Sequence, residues 1–370
     1  MKRSIITMAL AAAMLLSASV ESNAQGWFDK FAKNKSRILS MTHSGNTLYI
    51  GTCSYGLVAK DLQSGTEQHY QTTDNYPVSM YYGNKTLYVG SLISGMSELK
   101  GGEMRYTDNL PTDDGITAVE YATINNVDLQ FISDSKRIYI KAAGSGAWQE
   151  CQNQSIFNAI WIGSIVTDKN GLTWIGSNEG SIGVEDYSLK RLLPAYPAMS
   201  PVINPEDCLH GVNGMCKGND EILFIASDKG LYSYDYHRFA CCYGESACYD
   251  VQQSDDGTVW AVTKDALLKY DGESVTSYPT TSFESEGNVC LEVAGGAVYV
   301  GGMTSGVYKF ENGEFTKLEY EVANGIDEVS SSSAIASPKV YSSDGKELDG
   351  LAKGLNIVKS ADGKTVKVIR

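Results

Sequence analysis

Long apolar runs are scarce in this chain, because none after the first two dozen residues reaches the length of a membrane-spanning helix. We therefore expect no membrane span. Positively charged residues are also few. The chain has 30 lysines and arginines against 44 aspartates and glutamates, so its net charge is −14. Such a surface repels phosphate backbones, so nucleic acid is not an expected partner.

The motifs of familiar catalytic and metal sites are missing as well. The sequence has no G-x-S-x-G, no H-E-x-x-H and no complete P-loop, and no two cysteines show C-x-x-C spacing. The run Asp113-Asp114-Gly115 lacks the alternating oxygens of a calcium loop, and we interpret it as a hairpin turn. We therefore predict no metal, no cofactor and no catalytic residue.

What the chain has instead is a repeat. Its clearest copy, residues 171–180, is a turn, a short strand of β-branched and aromatic residues, and a second turn. Copies recur 36 to 50 residues apart, centred on Tyr49, Tyr88, Phe131, Trp174, Phe224, Trp260 and Tyr299. A unit of this length holds four short strands and cannot bury both faces alone. The pattern predicts an all-β fold, a seven-bladed β-propeller of four-stranded blades over residues 38–322, because strand-period alternation argues against a helical solenoid.

The two ends of the chain differ from the repeats. Residues 1–24 combine a basic start, an apolar run and small residues, which predicts a secretory signal peptide, and residues 25–37 form a lead-in. A linker over residues 323–336 contains a serine run and precedes a small β-rich tail, residues 337–370. We expect a secreted or cell-surface protein, with the periplasm as the alternative.

All eight cysteines follow the predicted signal peptide. An even number of cysteines in an exported chain permits disulfides, and the sequence does not choose among the many pairings. The five candidates are crowded into one region of the chain: Cys208, Cys216, Cys241, Cys242 and Cys248.

Asp168, Gly171 and Trp174-Ile175-Gly176-Ser177 follow the pattern D-x-x-G-x-x-W-I-G, and residues 48–57 carry a related TLYIGT…GL form. Over residues 38–320 the chain resembles the two-component-regulator propeller repeat. This resemblance implies the propeller fold and a sensor or stand-alone binding module. In regulators of that family a transmembrane helix and a kinase follow the propeller, and because we find neither motif in this sequence we do not expect the signalling role.

The tail carries a second resemblance in Pro338-Lys339-Val340-Tyr341, residues 344–348, residues 353–358 and residues 363–368. These segments resemble the C-terminal sorting segment of proteins that Bacteroidota export through type IX secretion. The resemblance implies the type IX machinery as a partner. The alternative is a β-rich appendage that docks on the propeller.

We expect an exported, non-catalytic binding module for a glycan or protein ligand. Aromatic side chains at a propeller mouth bind such ligands by stacking, although we interpret most of the 23 tyrosines as blade filler. The candidate ligand-binding residues lie in or next to irregular segments: Trp161, Tyr196, His210 and His237.

The alternative function is a lyase or hydrolase that acts on a polysaccharide or lactone. The repeats are similar to those of streptogramin-type lyases, which are seven-bladed propellers. This alternative predicts convergent histidine, glutamate and arginine side chains at one mouth of the ring.

Overall fold

A computed structural model describes most of the chain between residues 37 and 369, and every regular element in the described part is a β-strand. The residues described are 37–320 except 54, 125, 135, 152–161, 169–171, 178–181, 187–190, 195–210, 221, 236–238 and 284–286, together with 339–342, 347–348, 355–359 and 365–369. The chain divides into two compact units, Met1–Ala323 and Asn324–Arg370. The predicted signal peptide and linker, and the lead-in apart from Arg37, lie outside the described residues.

The first unit consists of four-stranded antiparallel sheets, each made of four strands that are consecutive in the chain. The first of these sheets contain β1 (Ile38–Ser44), β2 (Thr47–Thr52), β3 (Gly56–Asp61), β4 (Glu67–Tyr70); β5 (Pro77–Gly83), β6 (Thr86–Ser91), β7 (Met96–Lys100), β8 (Glu103–Tyr106); β9 (Ala118–Ile124), β10 (Val127–Ser133), β11 (Ile138–Ala142), β12 (Gln149–Glu150); β13 (Ile162–Thr167), β14 (Leu172–Ser177), β15 (Ile182–Asp186) and β16 (Arg191–Pro194). The following sheets contain β17 (Val212–Lys217), β18 (Leu223–Ser227), β19 (Gly230–Tyr234), β20 (Phe239–Tyr243); β21 (Cys248–Gln253), β22 (Val259–Thr263), β23 (Ala266–Tyr270), β24 (Val275–Pro279); β25 (Asn288–Ala294), β26 (Ala297–Gly302), β27 (Gly306–Glu311) and β28 (Glu314–Lys317).

Each repeat aromatic lies within the second strand of its sheet, where it has a neighbour on both sides. In the first sheet, Tyr49 pairs with Thr42 on β1 and Ala59 on β3. The tight turns that precede these strands use residues that tolerate a left-handed backbone, such as Gly45 with φ of 55° and Asn84 with φ of 49°. The repeat seen in the sequence is thus one blade, and the sheet β9–β12 forms even though its copy has the most degenerate sequence.

The first strands of the sheets pack against one another in chain order, β1 on β5, β5 on β9, and onward to β21 on β25. The circle closes because β25 packs against β1. The predictions of an all-β propeller and of four-stranded blades are confirmed. Closure needs no exchanged strand, since the last sheet of the ring, β25–β28, supplies all four of its own strands.

The hydrophobic core lies between neighbouring blades. Leu57 of the first blade is fully buried against Leu87 and Val89 of the second. A second cluster fills the closing seam, where Ile38 and Leu48 pack with Tyr299. Burying these faces supplies about 25 cal/mol for each Å² of apolar surface removed from water.

Polar side chains on the first strands also reach forward to the backbone of the next blade. The Ser40 hydroxyl donates to the Pro77 carbonyl at 2.7 Å, and the Ser79 hydroxyl donates to the Ile116 carbonyl at 3.1 Å. Each bond passes over a glycine of the adjacent strand. A Cβ on Gly90 would lie 2.3 Å from Ser79 Oγ and 2.4 Å from the Ile116 oxygen, so glycine is required for the contact.

The second unit contains one described four-stranded antiparallel sheet in the order β30-β29-β31-β32. Its strands are β29 (Lys339–Ser342), β30 (Glu347–Leu348), β31 (Leu355–Lys359) and β32 (Thr365–Ile369). The tail is therefore β-rich, as the sequence predicts.

We predict that Gly90→Ala lowers the free energy of unfolding by about 2–4 kcal/mol, because the new methyl group displaces Ser79 or the Ile116 backbone and breaks their hydrogen bond. Urea unfolding measures the loss. Gly146→Ala is the matched control, since nothing lies within 4 Å of its Cβ position, and its effect should stay within about 0.5 kcal/mol. Equal losses in the two variants would refute this role for Gly90.

Candidate functional site

The four ligand-binding candidates from the sequence, Trp161, Tyr196, His210 and His237, all lie outside the described residues. Their roles therefore stay predictions. The candidate site in the described part of the chain lies on other loops.

Four of the five candidate disulfide cysteines lie in the described part of the chain. Cys216, Cys241, Cys242 and Cys248 are free thiols in the structure, so no disulfide among these four is present, and Cys208 lies outside the described residues. Cys248 is fully buried, and burial raises the pKa of its thiol to about 12. A thiol with so high a pKa is a poor nucleophile.

A cleft of about 570 Å³ opens between the second blade, β5–β8, and the third, β9–β12. We call it the loop cleft, and its lining residues are Leu92, Ile93, Asp114, Gly115, Thr117, Asp134, Lys136 and Arg137. They come from the connections β6–β7, β8–β9 and β10–β11. Because successive strands are antiparallel, these three connections share one end of the ring. The Asp113-Asp114-Gly115 run is therefore not a hairpin turn but part of the connection from β8 to β9.

Asp74 fixes the first side of the loop cleft. One of its carboxylate oxygens accepts hydrogen bonds from the backbone N–H groups of Ile93 at 2.6 Å and Ser94 at 3.2 Å. Gly95 then forms an isolated parallel bridge with Gly115. A Cβ on Gly115 would lie 1.9 Å from the Leu92 oxygen, so the two loops approach too closely for any other residue.

Asp134 fixes the opposite side. Its Oδ1 accepts the backbone N–H groups of Lys136 at 3.2 Å and Arg137 at 2.8 Å. Its Oδ2 accepts Arg137 Nε at 2.9 Å and the Tyr139 hydroxyl at 3.1 Å, and Arg137 Nη2 lies 2.7 Å away. Burial opposes ionisation of Asp134, but these donors together lower its pKa below the ordinary value. The carboxylate is thus charged and holds Arg137 in place.

The groups that remain exposed at the cleft are two cations, the Asp114 carboxylate and an aliphatic side chain. The Arg137 side chain is 45% exposed despite its bonds to Asp134, and Ile93 is 56% exposed. Lys136 is exposed, and it has no ion pair with any residue that the structure describes. The described lining residues include no histidine, cysteine or glutamate, and its two aspartates, Asp114 and Asp134, lie next to Arg137. This arrangement of charged and aliphatic groups can bind a ligand.

A separate polar chain runs across the ring closure. His43 Nδ1 lies 2.6 Å from Glu292 Oε1, and Gln252 Nε2 donates to Glu292 Oε2 at 2.7 Å. Gln252 also accepts the backbone N–H of Val293 at 3.1 Å, so the chain joins β21, β25 and β1. The bond to Glu292 raises the pKa of His43, and burial raises the pKa of Glu292. The enzymatic alternative predicts that histidine, glutamate and arginine side chains converge. His43 and Glu292 do lie together, and the other described side chain bonded to Glu292 is Gln252 and not an arginine.

Two tyrosines in the described blades, Tyr82 and Tyr234, serve packing. Tyr82 stacks on Tyr49 of the preceding blade with ring centroids 6.1 Å apart. Tyr234 is fully buried between Trp174 and Phe239. The interpretation of these tyrosines as blade filler agrees with these contacts.

No family model matches the chain, and no curated protein matches it. Among solved structures the chain is similar to PorZ, an essential bacterial surface component of the type-IX secretion system of Porphyromonas gingivalis, with a TM-score of 0.58 and 14% identity over 90% of this chain and 59% of that one. It is also similar to the computationally designed Ika8 protein, with a TM-score of 0.55 and 12% identity over 91% of this chain and 97% of that one. A third similar structure is the WD40 β-propeller domain of Doa1, with a TM-score of 0.57 and 11% identity over 75% and 93%.

These similarities show the propeller fold alone, because the identities are low. The chain spans 59% of the length of PorZ. In the described part of the chain, no helix has the length and apolar character needed to cross a membrane.

Two carboxyl groups on the first strands, those of the buried Glu120 and the half-buried Asp250, are expected to make stability depend on pH. Burial raises the pKa of Glu120 to about 8, although its carboxylate accepts the Thr167 N–H at 3.2 Å. Burial also raises the pKa of Asp250 to about 7, although it accepts the Leu291 N–H at 2.9 Å. A carboxyl group whose pKa is higher in the folded state stabilises the fold below its unfolded pKa, and this contribution is lost as pH rises through the folded pKa.

We therefore predict that the melting temperature falls by about 5 °C or more between about pH 6 and pH 8.5. Glu120→Gln should flatten this fall, because the amide keeps an acceptor for Thr167 but carries no charge. Glu314→Gln, on the exposed strand β28, is the control and should leave the slope unchanged. Thermal unfolding followed by circular dichroism measures both. A melting temperature that rises over this range would contradict the assignment.

Proposed function

We propose that this protein is an exported, non-catalytic binding module that takes a protein ligand into the loop cleft. The observation that carries the proposal is the cleft itself, with exposed Ile93, Lys136 and Arg137 on loops that Asp74 and Asp134 hold rigid. A site whose groups are fixed before binding loses little entropy when the ligand arrives. Among the described residues of its lining no side chain is aromatic, which favours a protein over a glycan.

The proposed module is a seven-bladed ring. Support comes from the repeat aromatics in the sequence and from the run of four-stranded sheets from β1–β4 to β25–β28, whose first strands pack in a closed circle. We propose it as a stand-alone relative of the two-component-regulator propellers.

The proposed location is the cell surface or the extracellular space. The predicted signal peptide and the tail that resembles a type IX sorting segment support it, as does the fold shared with PorZ, a surface component of that secretion system. An association with the type IX machinery belongs to the same proposal.

A second candidate function, a lyase or hydrolase acting on a polysaccharide or lactone, has one observation in its favour. The partly exposed His43 is oriented by the buried Glu292, as a general base would be. Both side chains already take part in bonds that join blades, which favours a structural role for the pair.

Photo-crosslinking in intact producing cells tests the binding proposal. We predict that benzoylphenylalanine in place of Ile93 forms a discrete covalent adduct on illumination, because this exposed side chain lines the cleft. Mass spectrometry should identify one predominant protein in the adduct.

The matched control carries the same photoreactive residue in place of Glu103, which is 66% exposed and lies at the opposite end of the same blade. It should give no such adduct. Equal adducts at both positions, or none at Ile93, would refute a ligand in the loop cleft. An adduct that glycosidases remove and proteases do not would replace the protein ligand by a glycan.

A further inference from the structure

We propose, resting on the function above, that the loop cleft recognises an acidic residue beside an aliphatic residue in an exposed segment of its protein partner. Lys136 and Arg137 bind the carboxylate, and Leu92 and Ile93 contact the aliphatic side chain. The partner is thus defined by its chemistry, one carboxylate next to one branched or linear apolar group.

The charge of the cleft favours an acidic ligand. The protein as a whole carries a net charge of −14, so an exposed pair of cations is against the general trend of its surface. Lys136 has no ion pair with a described residue, and Arg137 stays 45% exposed although Asp134 holds one side of its guanidinium. A carboxylate that reaches both side chains forms charge-assisted hydrogen bonds, which are stronger than neutral ones.

The two aspartates next to Arg137 limit how much negative charge a bound ligand can carry. Asp134 lies against its guanidinium, and Asp114, 72% exposed, lies 3.8 Å from Nη2. Two aspartates balance Arg137 and Lys136, so the cleft is near neutral before a ligand binds. It therefore favours a single carboxylate over a phosphate dianion, which both aspartates would repel.

The aliphatic part of the cleft favours peptides over sugars as ligands. Leu92 and Ile93 are the apolar side chains of its described lining, and that described lining contains no tyrosine, tryptophan or phenylalanine. Sugar rings are usually held by stacking on aromatic faces, whereas aliphatic side chains pack on one another without such a partner. A peptide supplies both the carboxylate and the apolar neighbour from adjacent residues.

Four backbone donors of the cleft already have partners, which directs recognition to side chains. The N–H groups of Ile93 and Ser94 are bonded to Asp74, and those of Lys136 and Arg137 are bonded to Asp134. An incoming strand therefore cannot pair with these donors. Specificity rests on the charges and on the exposed Ile93.

An array of random heptapeptides probed with the labelled full-length protein tests this inference. We expect bound peptides to be enriched in aspartate or glutamate next to leucine, isoleucine or valine. Lys136→Gln should weaken binding to the selected peptides by about tenfold, which is about 1.4 kcal/mol. Lys136→Glu should move the preference to lysine and arginine. Lys100→Gln, at an exposed lysine on β7 at the other end of the neighbouring blade, is the matched control and should change nothing.

Peptide binding without an acidic preference, or unaffected by Lys136→Gln, would overturn the inference. So would a failure to bind any peptide, or Lys136-dependent binding to an anionic glycan array. The crosslinking at Ile93 is a separate measurement. If it gives an adduct while the peptide array is negative, the acidic ligand is rejected but the proposed binding function is not.

Discussion

Polar side chains on or next to the first strand tie several blades of this ring to the next blade, and the rest of the structure depends on these contacts. Ser40, Ser79 and Thr117 donate to carbonyl oxygens one blade ahead. Farther round the ring Asp250 accepts from the backbone one blade ahead, and the contact between His43 and Glu292 closes the circle. Apolar packing between blades is non-directional, whereas these bonds fix how far one blade is displaced relative to its neighbour.

The geometry of the loop cleft depends on how neighbouring blades are aligned. Ile116, whose carbonyl accepts the Ser79 hydroxyl, lies between the cleft residues Gly115 and Thr117. Its own N–H donates to the Ser91 carbonyl at 2.9 Å, so two strands of the second blade hold the backbone between these cleft residues. The bond that aligns the blades therefore also positions the loops, and the cations of the third blade come to lie opposite Ile93 of the second.

Much of the fold was predictable from the sequence, and little of the site was. The spacing of the aromatics and the turn residues before them predict four-stranded blades, because both depend on neighbours within one repeat. The loop cleft depends on contacts between repeats, such as the bridge from Gly95 to Gly115, and no local pattern encodes them. The sequence did contain one indication of the contacts between blades. Ser40 and Ser79 occupy the same position in their repeats, and each pairs with a glycine of the next strand. The predicted residues Trp161, Tyr196, His210 and His237 remain untested.

Specific side-chain bonds, and not packing alone, close the ring. A double-mutant cycle on His43→Gln and Glu292→Gln, measured by urea unfolding at about pH 6, tests this conclusion. We expect a coupling free energy of about 1 kcal/mol or more, because the two groups lie 2.6 Å apart and Glu292 is buried. Additive effects of the two substitutions would contradict it, since the seam would then rest on apolar packing.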